Sequence, residues 1–146
     1  MKKTLITLAL ACAAGAVMAQ STPVGLWKTI DDETKIEKSL VRITESGGVL
    51  SGKIEKFLDP KTAPDVTCDH CTDERKDKPI LGMTIIRNAK PDAAKEVWEG
   101  GDILDPNNGK VYKLRLKPQD GGKKLEVRGF IGFALIGRSQ TWIRVE

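Results

Sequence analysis

The sequence is poor in the residues from which most enzyme sites are assembled. His70 is the only histidine in 146 residues, which excludes any site built on several imidazoles. No glycine loop ending in Lys-Ser or Lys-Thr is present, so the backbone cradle of a P-loop is missing. No nucleophile elbow surrounds a serine. Runs of one charge are also missing, because acids and bases interleave, as in DDETKIEK (31–38) and DERKDK (73–78). Binding nucleic acid by counterion release requires a concentrated positive surface, so nucleic acid is not expected as a partner. A helical period is sustained nowhere after the first twenty residues. Paired acids such as Glu96 with Glu99 and Asp102 with Asp105 read as surface and turn residues, since acid–base work needs one member with a raised pKa.

Long apolar runs are confined to the amino terminus, MKKTLITLALACAAGAVMAQ. Lys2 and Lys3 form a basic start, Thr4 to Ala19 are uncharged, and Val17-Met18-Ala19 places small residues where a signal peptidase reads. The uncharged stretch of 16 residues falls short of the ~20 needed to span a bilayer, so an integral membrane protein is not expected. The segment predicts a signal peptide, 1–19, and a periplasmic or secreted mature chain, 20–146, of 127 residues in a single domain. Cys12 leaves with the leader; Ala9 stands where a lipobox favours leucine, which argues against acylation. Losing Lys2 and Lys3 lowers the net charge from +4 to +2.

The rest reads as short β-rich runs separated by turn residues. The runs are 25–30, 39–45, 49–58, 79–86, 96–104, 110–117, 123–131 and 137–145, with a polar loop over 59–78. Ser46-Gly47-Gly48 and Asp120-Gly121-Gly122 are turn signals. Alternation is clearest where Tyr112, Leu114 and Leu116 oppose Val111, Lys113, Arg115 and Lys117. Similarly, Leu125, Val127, Gly129 and Ile131 oppose Glu126 and Arg128. A period of two signals half-buried antiparallel strands. About eight of them with short turns suit a small up-and-down barrel or a sandwich. An immunoglobulin sandwich is disfavoured by the lack of a Cys…Trp…Cys frame. The expected fold is therefore all-β, a small antiparallel up-and-down β-barrel.

Gly25-Leu26-Trp27 opens the first of these runs and Arg144 lies in the last. This pairing resembles the lipocalin (calycin-like) superfamily, in which a G-x-W motif meets an arginine of the final strand at the closed end of the barrel. The resemblance implies a barrel closure made of Gly25, Trp27 and Arg144, with the guanidinium lying on the indole by cation–π attraction. Further motifs, GLWKTIDD, a Cys-x-x-Cys followed by ERKDKPILGM, WEGGDILDPNNGK (98–110) and LEVRGFIGFALIGRSQTWIRV (125–145), resemble the bacterial family known as domain of unknown function 2147. That resemblance implies small exported proteins with a lipocalin-like barrel and an envelope location, and no established activity.

Cys68-Asp69-His70-Cys71 admits several chemistries. Haem attachment needs a histidine after the second cysteine, where Thr72 stands. Zinc needs four donors, and Cys68, Cys71 and His70 make three. A thioredoxin-type centre needs its first cysteine at a helix N-terminus, and PKTAPDV before it reads as extended loop. A local Cys68–Cys71 disulfide pinning the long loop is the expected arrangement in an exported chain. Neither metal nor cofactor is expected.

Two features point to binding. GFIGFALIG (129–137) carries no charge. It either turns at the rim of the barrel or extends both strands and buries Phe130, Phe133 and Leu135. The run 137–145 puts Arg138, Gln140, Trp142 and Arg144 on one face. A cavity lined by Met83, Trp98, Tyr112, Arg128, Arg138, Gln140 and Trp142 is expected, with Arg138 and Arg128 receiving a carboxylate or phosphate. The expected function is non-catalytic binding of a small apolar or amphipathic molecule. The alternatives are an envelope interaction module with a filled barrel, and a thiol-disulfide protein acting through Cys68 and Cys71.

Overall fold

In the computed structural model, residues 21–133 and 136–146 are described. The predicted leader and Leu135 lie outside the described residues. Alternating side chains give eight strands: β1 Gly25–Ile30, β2 Glu37–Ser46, β3 Val49–Phe57, β4 Thr84–Asp92, β5 Val97–Asp105, β6 Lys110–Gln119, β7 Lys124–Phe130 and β8 Gly137–Arg144. Each pairs antiparallel with its neighbour in sequence, and β8 returns to β1 to close the barrel. The all-β, up-and-down architecture is the one the sequence predicts.

Local chemistry explains the turns. Gly47 and Gly48 both take positive φ, +58° and +78°, the conformation that lets a two-residue hairpin follow the twist of its strands. Asp120, Gly121 and Gly122 turn the chain from β6 into β7 with positive φ throughout.

Two strand boundaries differ from expectation. The predicted strand 79–86 is displaced to 84–92. Gly82 (φ +84°) makes a turn here, with Met83 N–H on the Ile80 carbonyl at 3.1 Å. The polar run RNAKPD looks like loop but stays in the ladder, because Asn88 (φ +60°) bulges and β5 pairs with it as far as Asp92↔Val97. Beyond Ala89 the register of β4 continues on the β5 side only, where proline is tolerated. Likewise β7 ends at Phe130, and Ile131 stands outside the strand, exposed at the rim of the cavity rather than buried within the barrel.

The closed end gathers the start of β1, the end of β8 and the 46–49, 92–97 and 119–124 connections. Trp27, Ile43, Leu50, Leu114, Leu116 and Leu125 are fully buried in one cluster. The Arg144 guanidinium carbon lies 4.2 Å from the Trp27 ring centroid. Its nitrogens donate to the carbonyls of Gly122 at 2.5 Å, Thr22 at 2.6 Å and Val24 at 2.8 Å. Trp27 Nε1 donates to the Pro23 carbonyl at 2.7 Å. A Cβ on Gly25 would overlap the Arg144 guanidinium and the Glu146 carbonyl, so the first position of the motif must be bare.

Candidate functional site

On three of the strands the inward-facing side chains shrink toward the other end of the barrel. Along β7 they run Leu125, Val127, Gly129; along β2, read toward the mouth, Ile43, Val41, Ser39; along β1, Trp27 then Thr29. Large residues fill the closed half, and the small residues at the ends of these three rows open a hollow in the other half. The result is a cavity of about 550 Å³, within the ~300–1,000 Å³ range of small-molecule sites.

Its walls are mostly apolar. Ile54 and Phe57 come from β3, Ile85 from β4, Ile103 from β5, Val127 from β7 and Trp142 from β8. The long connection 58–83 adds Val66 and Ile80. Polar groups, among them Asp31, Lys38, Asp105, Asn107 and Asn108, gather toward the mouth, and the deeper ones pair with one another. Thr29 Oγ1 and Ser39 Oγ share a hydrogen bond of 2.9 Å, and Trp142 Nε1 donates to Gln140 Oε1 at 3.1 Å.

The β1–β8 seam positions the mouth. Its register pairs Trp27 with Arg144 and Lys28 with Ile143, near the closed end only. Toward the mouth the two strands are bridged by side chains. Arg138 Nε donates to both Asp32 oxygens, at 2.8 and 2.6 Å, and Nη2 also reaches Oδ1. Gln140 Nε2 lies 3.4 Å from Asp32 Oδ1. This hydrogen-bonded pairing holds the Asp32 carboxyl below the usual carboxylate range and raises Arg138 further above its own. Asp31 shapes the loop by accepting from Thr34 N–H at 2.7 Å and Glu33 N–H at 3.0 Å, and the Thr34 bond is the main cause of its lowered pKa.

The connection 58–83 is pinned over the mouth at several points. Lys38 Nζ donates to Asp59 at 2.7 Å. Buried Arg75 reaches the Thr84 carbonyl at 2.9 Å and grips Asp73, whose carboxyl that hydrogen-bonded pairing pulls down to about 2. Cys68 and Cys71 form a disulfide, and both are buried in the core cluster. The Cys68 sulfur lies 3.7 Å from the Pro106 carbonyl of the β5–β6 turn. Gly109 of that turn (φ +72°) packs so closely on the His70–Cys71 peptide that a Cβ would overlap it. The disulfide-bonded loop thus packs against the neighbouring turn.

Four of the seven expected cavity residues, Tyr112, Arg138, Gln140 and Trp142, line the space. The other three do not. Trp98 registers with Leu116 and Pro91, so it faces inward at the closed end and packs on the filled core. Met83 is buried in the turn before β4, where its carbonyl accepts from Ile54 N–H at 3.0 Å. Arg128 pairs in register with Ser139 and donates to its Oγ at 3.0 Å, whereas Gly129 pairs with Arg138. One residue of offset puts the two arginines on opposite faces of the sheet, so they do not form a joint anion receptor. Arg138 itself already holds Asp32. GFIGFALIG turns at the rim, leaving Phe133 exposed rather than buried. Sequence reasoning missed Thr29, Ser39 and Ile54, which strand parity signals, Phe57 and Ile85, which register shifts in β2–β3 and β3–β4 bring to the cavity, and Val66 and Ile80, which only loop packing reveals.

Among the described residues no helix is long and apolar enough to cross a membrane. Comparison with solved structures finds a protein of this shape: Protein HP1028 from the human pathogen Helicobacter pylori, described as belonging to the lipocalin family. The two share 18% identity, with a TM-score of 0.71 over 84% of this chain and 82% of that one. At that identity the likeness shows the fold. No curated protein matches the chain. A family model described as "Uncharacterized protein conserved in bacteria (DUF2147)" matches residues 25–144. The chain belongs to that family.

Proposed function

We propose that this chain is an exported carrier that holds a small apolar or amphipathic molecule in the open half of its barrel, without chemistry on it. The observation that carries the reading is the hollow of about 550 Å³ between mostly apolar walls, opened by the taper of inward side chains on β1, β2 and β7. Burying a guest's apolar surface there contributes roughly 25 cal/mol per Å², and the polar groups at Thr29, Ser39 and Gln140 orient a guest that carries one hydrogen-bonding group. Export is supported by the leader-like start and by a disulfide, which persists in oxidising compartments. Arg138, engaged by Asp32, meets an anionic head only if the head displaces that carboxylate, so a neutral or weakly polar guest fits the mouth better.

The test is titration of the mature protein with N-phenyl-1-naphthylamine, read by its fluorescence, beside a Val127→Phe variant whose ring fills the hollow. Saturable binding that weakens at least roughly tenfold in the variant, a difference of about 1.4 kcal/mol, supports the proposal. Absence of saturable binding, or equal affinity in both proteins, overturns it.

A further inference from the structure

We infer that the guest is a neutral molecule presenting a hydrogen-bond acceptor, a ketone, ester or ether oxygen, to the hydroxyls of Thr29 and Ser39. The inference rests on the carrier reading and names the class of its guest. Both side chains are buried, and both line the cavity. Thr29 Oγ1 accepts from Ser39 N–H at 3.1 Å, and the two hydroxyl oxygens lie 2.9 Å apart. Each hydroxyl thus has a partner, yet two hydroxyls bring two hydrogens and the bond between them uses one. Whichever oxygen donates, the other keeps its hydrogen, and among the described residues neither hydroxyl bonds to a further acceptor. A buried donor is costlier to leave unmatched than a second lone pair. A guest that excludes water from this part of the wall must therefore supply an acceptor.

Gln140, on the strand next to β1, has the same bias. Its Oε1 accepts from Trp142 Nε1 at 3.1 Å, and its Nε2 faces Asp32 Oδ1 at 3.4 Å. An indole only donates and a carboxylate only accepts, so the amide is fixed with its second N–H still to give. A free cation would select an anionic guest, but the two cations that line the cavity each hold a carboxylate already. Lys38 holds Asp59 at 2.7 Å, and Arg138 holds Asp32 at 2.6 Å. A carboxylate guest would exchange its water for neutral donors alone, which is costly. Across the barrel from β8 and β1, the cavity wall is Ile85 of β4 and Ile103 of β5. The acceptor thus belongs on one side of the guest and its apolar body on the other.

Two fluorescent probes of one shape test this: 6-propionyl-2-dimethylaminonaphthalene, whose ketone accepts, and 6-propyl-2-dimethylaminonaphthalene, which has no carbonyl. Their affinities are measured on the wild type, on Ser39→Ala, and on the double variant Thr29→Val with Ser39→Ala. Removing one hydroxyl leaves the other with its hydrogen, so Ser39→Ala should keep the ratio of ketone to propyl-probe affinity within about twofold. The double variant should lower that ratio at least about tenfold, while unchanged binding of the propyl probe shows that its cavity persists. Emission of the bound ketone moves to longer wavelength when its carbonyl accepts a hydrogen bond. It should lie further to the red in the wild type and Ser39→Ala than in the double variant. Four results overturn the inference and leave the carrier reading standing: equal ratios in the wild type and the double variant, a loss in Ser39→Ala as large as in the double variant, ketone emission in the wild type as blue as in hexane, or binding of the propyl probe alone. Failure of both probes to bind saturably overturns the carrier reading, and this inference with it.

Discussion

Replacing Arg144 by alanine should cost most of what holds the closed end together. The guanidinium donates to three backbone carbonyls between 2.5 and 2.8 Å and stacks at 4.2 Å on a fully buried indole. Hydrogen bonds from a charged donor contribute about 1.5–3 kcal/mol each, and the cation–π contact about 0.5–2. The contributions share one side chain and are not additive, and water can reach the carbonyls once the arginine is gone. A loss of about 3–4 kcal/mol is therefore expected for Arg144→Ala. Arg144→Lys should lose about 2, since one ammonium satisfies fewer of three divergent carbonyls. Urea unfolding followed by tryptophan fluorescence reads the difference. With a slope of about 2 kcal/mol per M, the alanine midpoint should fall by about 1.5–2 M. Dye affinity at the open end should be unchanged in the folded protein. An alanine variant losing less than about 1 kcal/mol, or a lysine variant equal to wild type, would refute the reasoning.

Four further outcomes follow from the geometry. Gly109→Ala should destabilise by about 2 kcal/mol more than Gly121→Ala: both sites have positive φ, but only a Cβ at 109 overlaps the His70–Cys71 peptide, while nothing lies within 4 Å at 121. Cys68→Ser with Cys71→Ser removes a very short ring, for which chain entropy gives about 2 kcal/mol; amide exchange should quicken in 58–83 before it does in β6 or β7. The Asp73 carboxyl, whose pKa falls from 3.8 to about 2 on folding, contributes stability that is full above about pH 4 and lost as pH drops through about 2. Asp73→Asn should therefore flatten the acid limb of the unfolding curve in that window and leave its shape at pH 7 alone. Asp32→Asn should loosen the clasp on Arg138 and speed uptake of a neutral dye in stopped flow, and an unchanged rate would show that the seam does not limit access.

How much of this was legible depended on which physical variable carried it. Strand parity is written in single residues, so the inward faces of β6 and β7 could be read from Tyr112, Leu114 and Leu116 and from Leu125 and Val127. Parity also opposes Arg128 to Val127, and the expectation of a two-arginine receptor overrode a pattern that already excluded it. Depth along the barrel axis is not periodic. Trp98 faces inward like Trp142, yet only pairing with Leu116 and Pro91 puts it in the filled half. The start of β4 is not legible locally, because Ile80, Gly82 and Met83 look like strand residues, whereas Gly82 turns. Its far half was missed because Pro91 and Asn88 look like loop. The contribution of Val66 and Ile80 to the wall depends on how a polar connection folds back, which no local pattern records.

A closed β-barrel has no intrinsic reason to be hollow at one end, because eight strands leave just enough interior for side chains to fill. The void here arises from residue choice along three inward rows, those of β1, β2 and β7. Where β1 carries Trp27 near its start it carries Thr29 near its end; β2 goes from Ile43 to Ser39 and β7 from Leu125 to Gly129 over the same span. Thr29 and Ser39, both buried, satisfy each other across β1 and β2, so the small residues bring no unpaired hydroxyl into the wall. A barrel under selection only for stability would fill those positions, since each buried methylene adds about 0.8 kcal/mol. Forgoing that gain at neighbouring inward positions, while placing an indole under a guanidinium at the opposite end, keeps the hollow half from collapsing onto the filled one. The taper thus argues that the space itself is what the fold maintains.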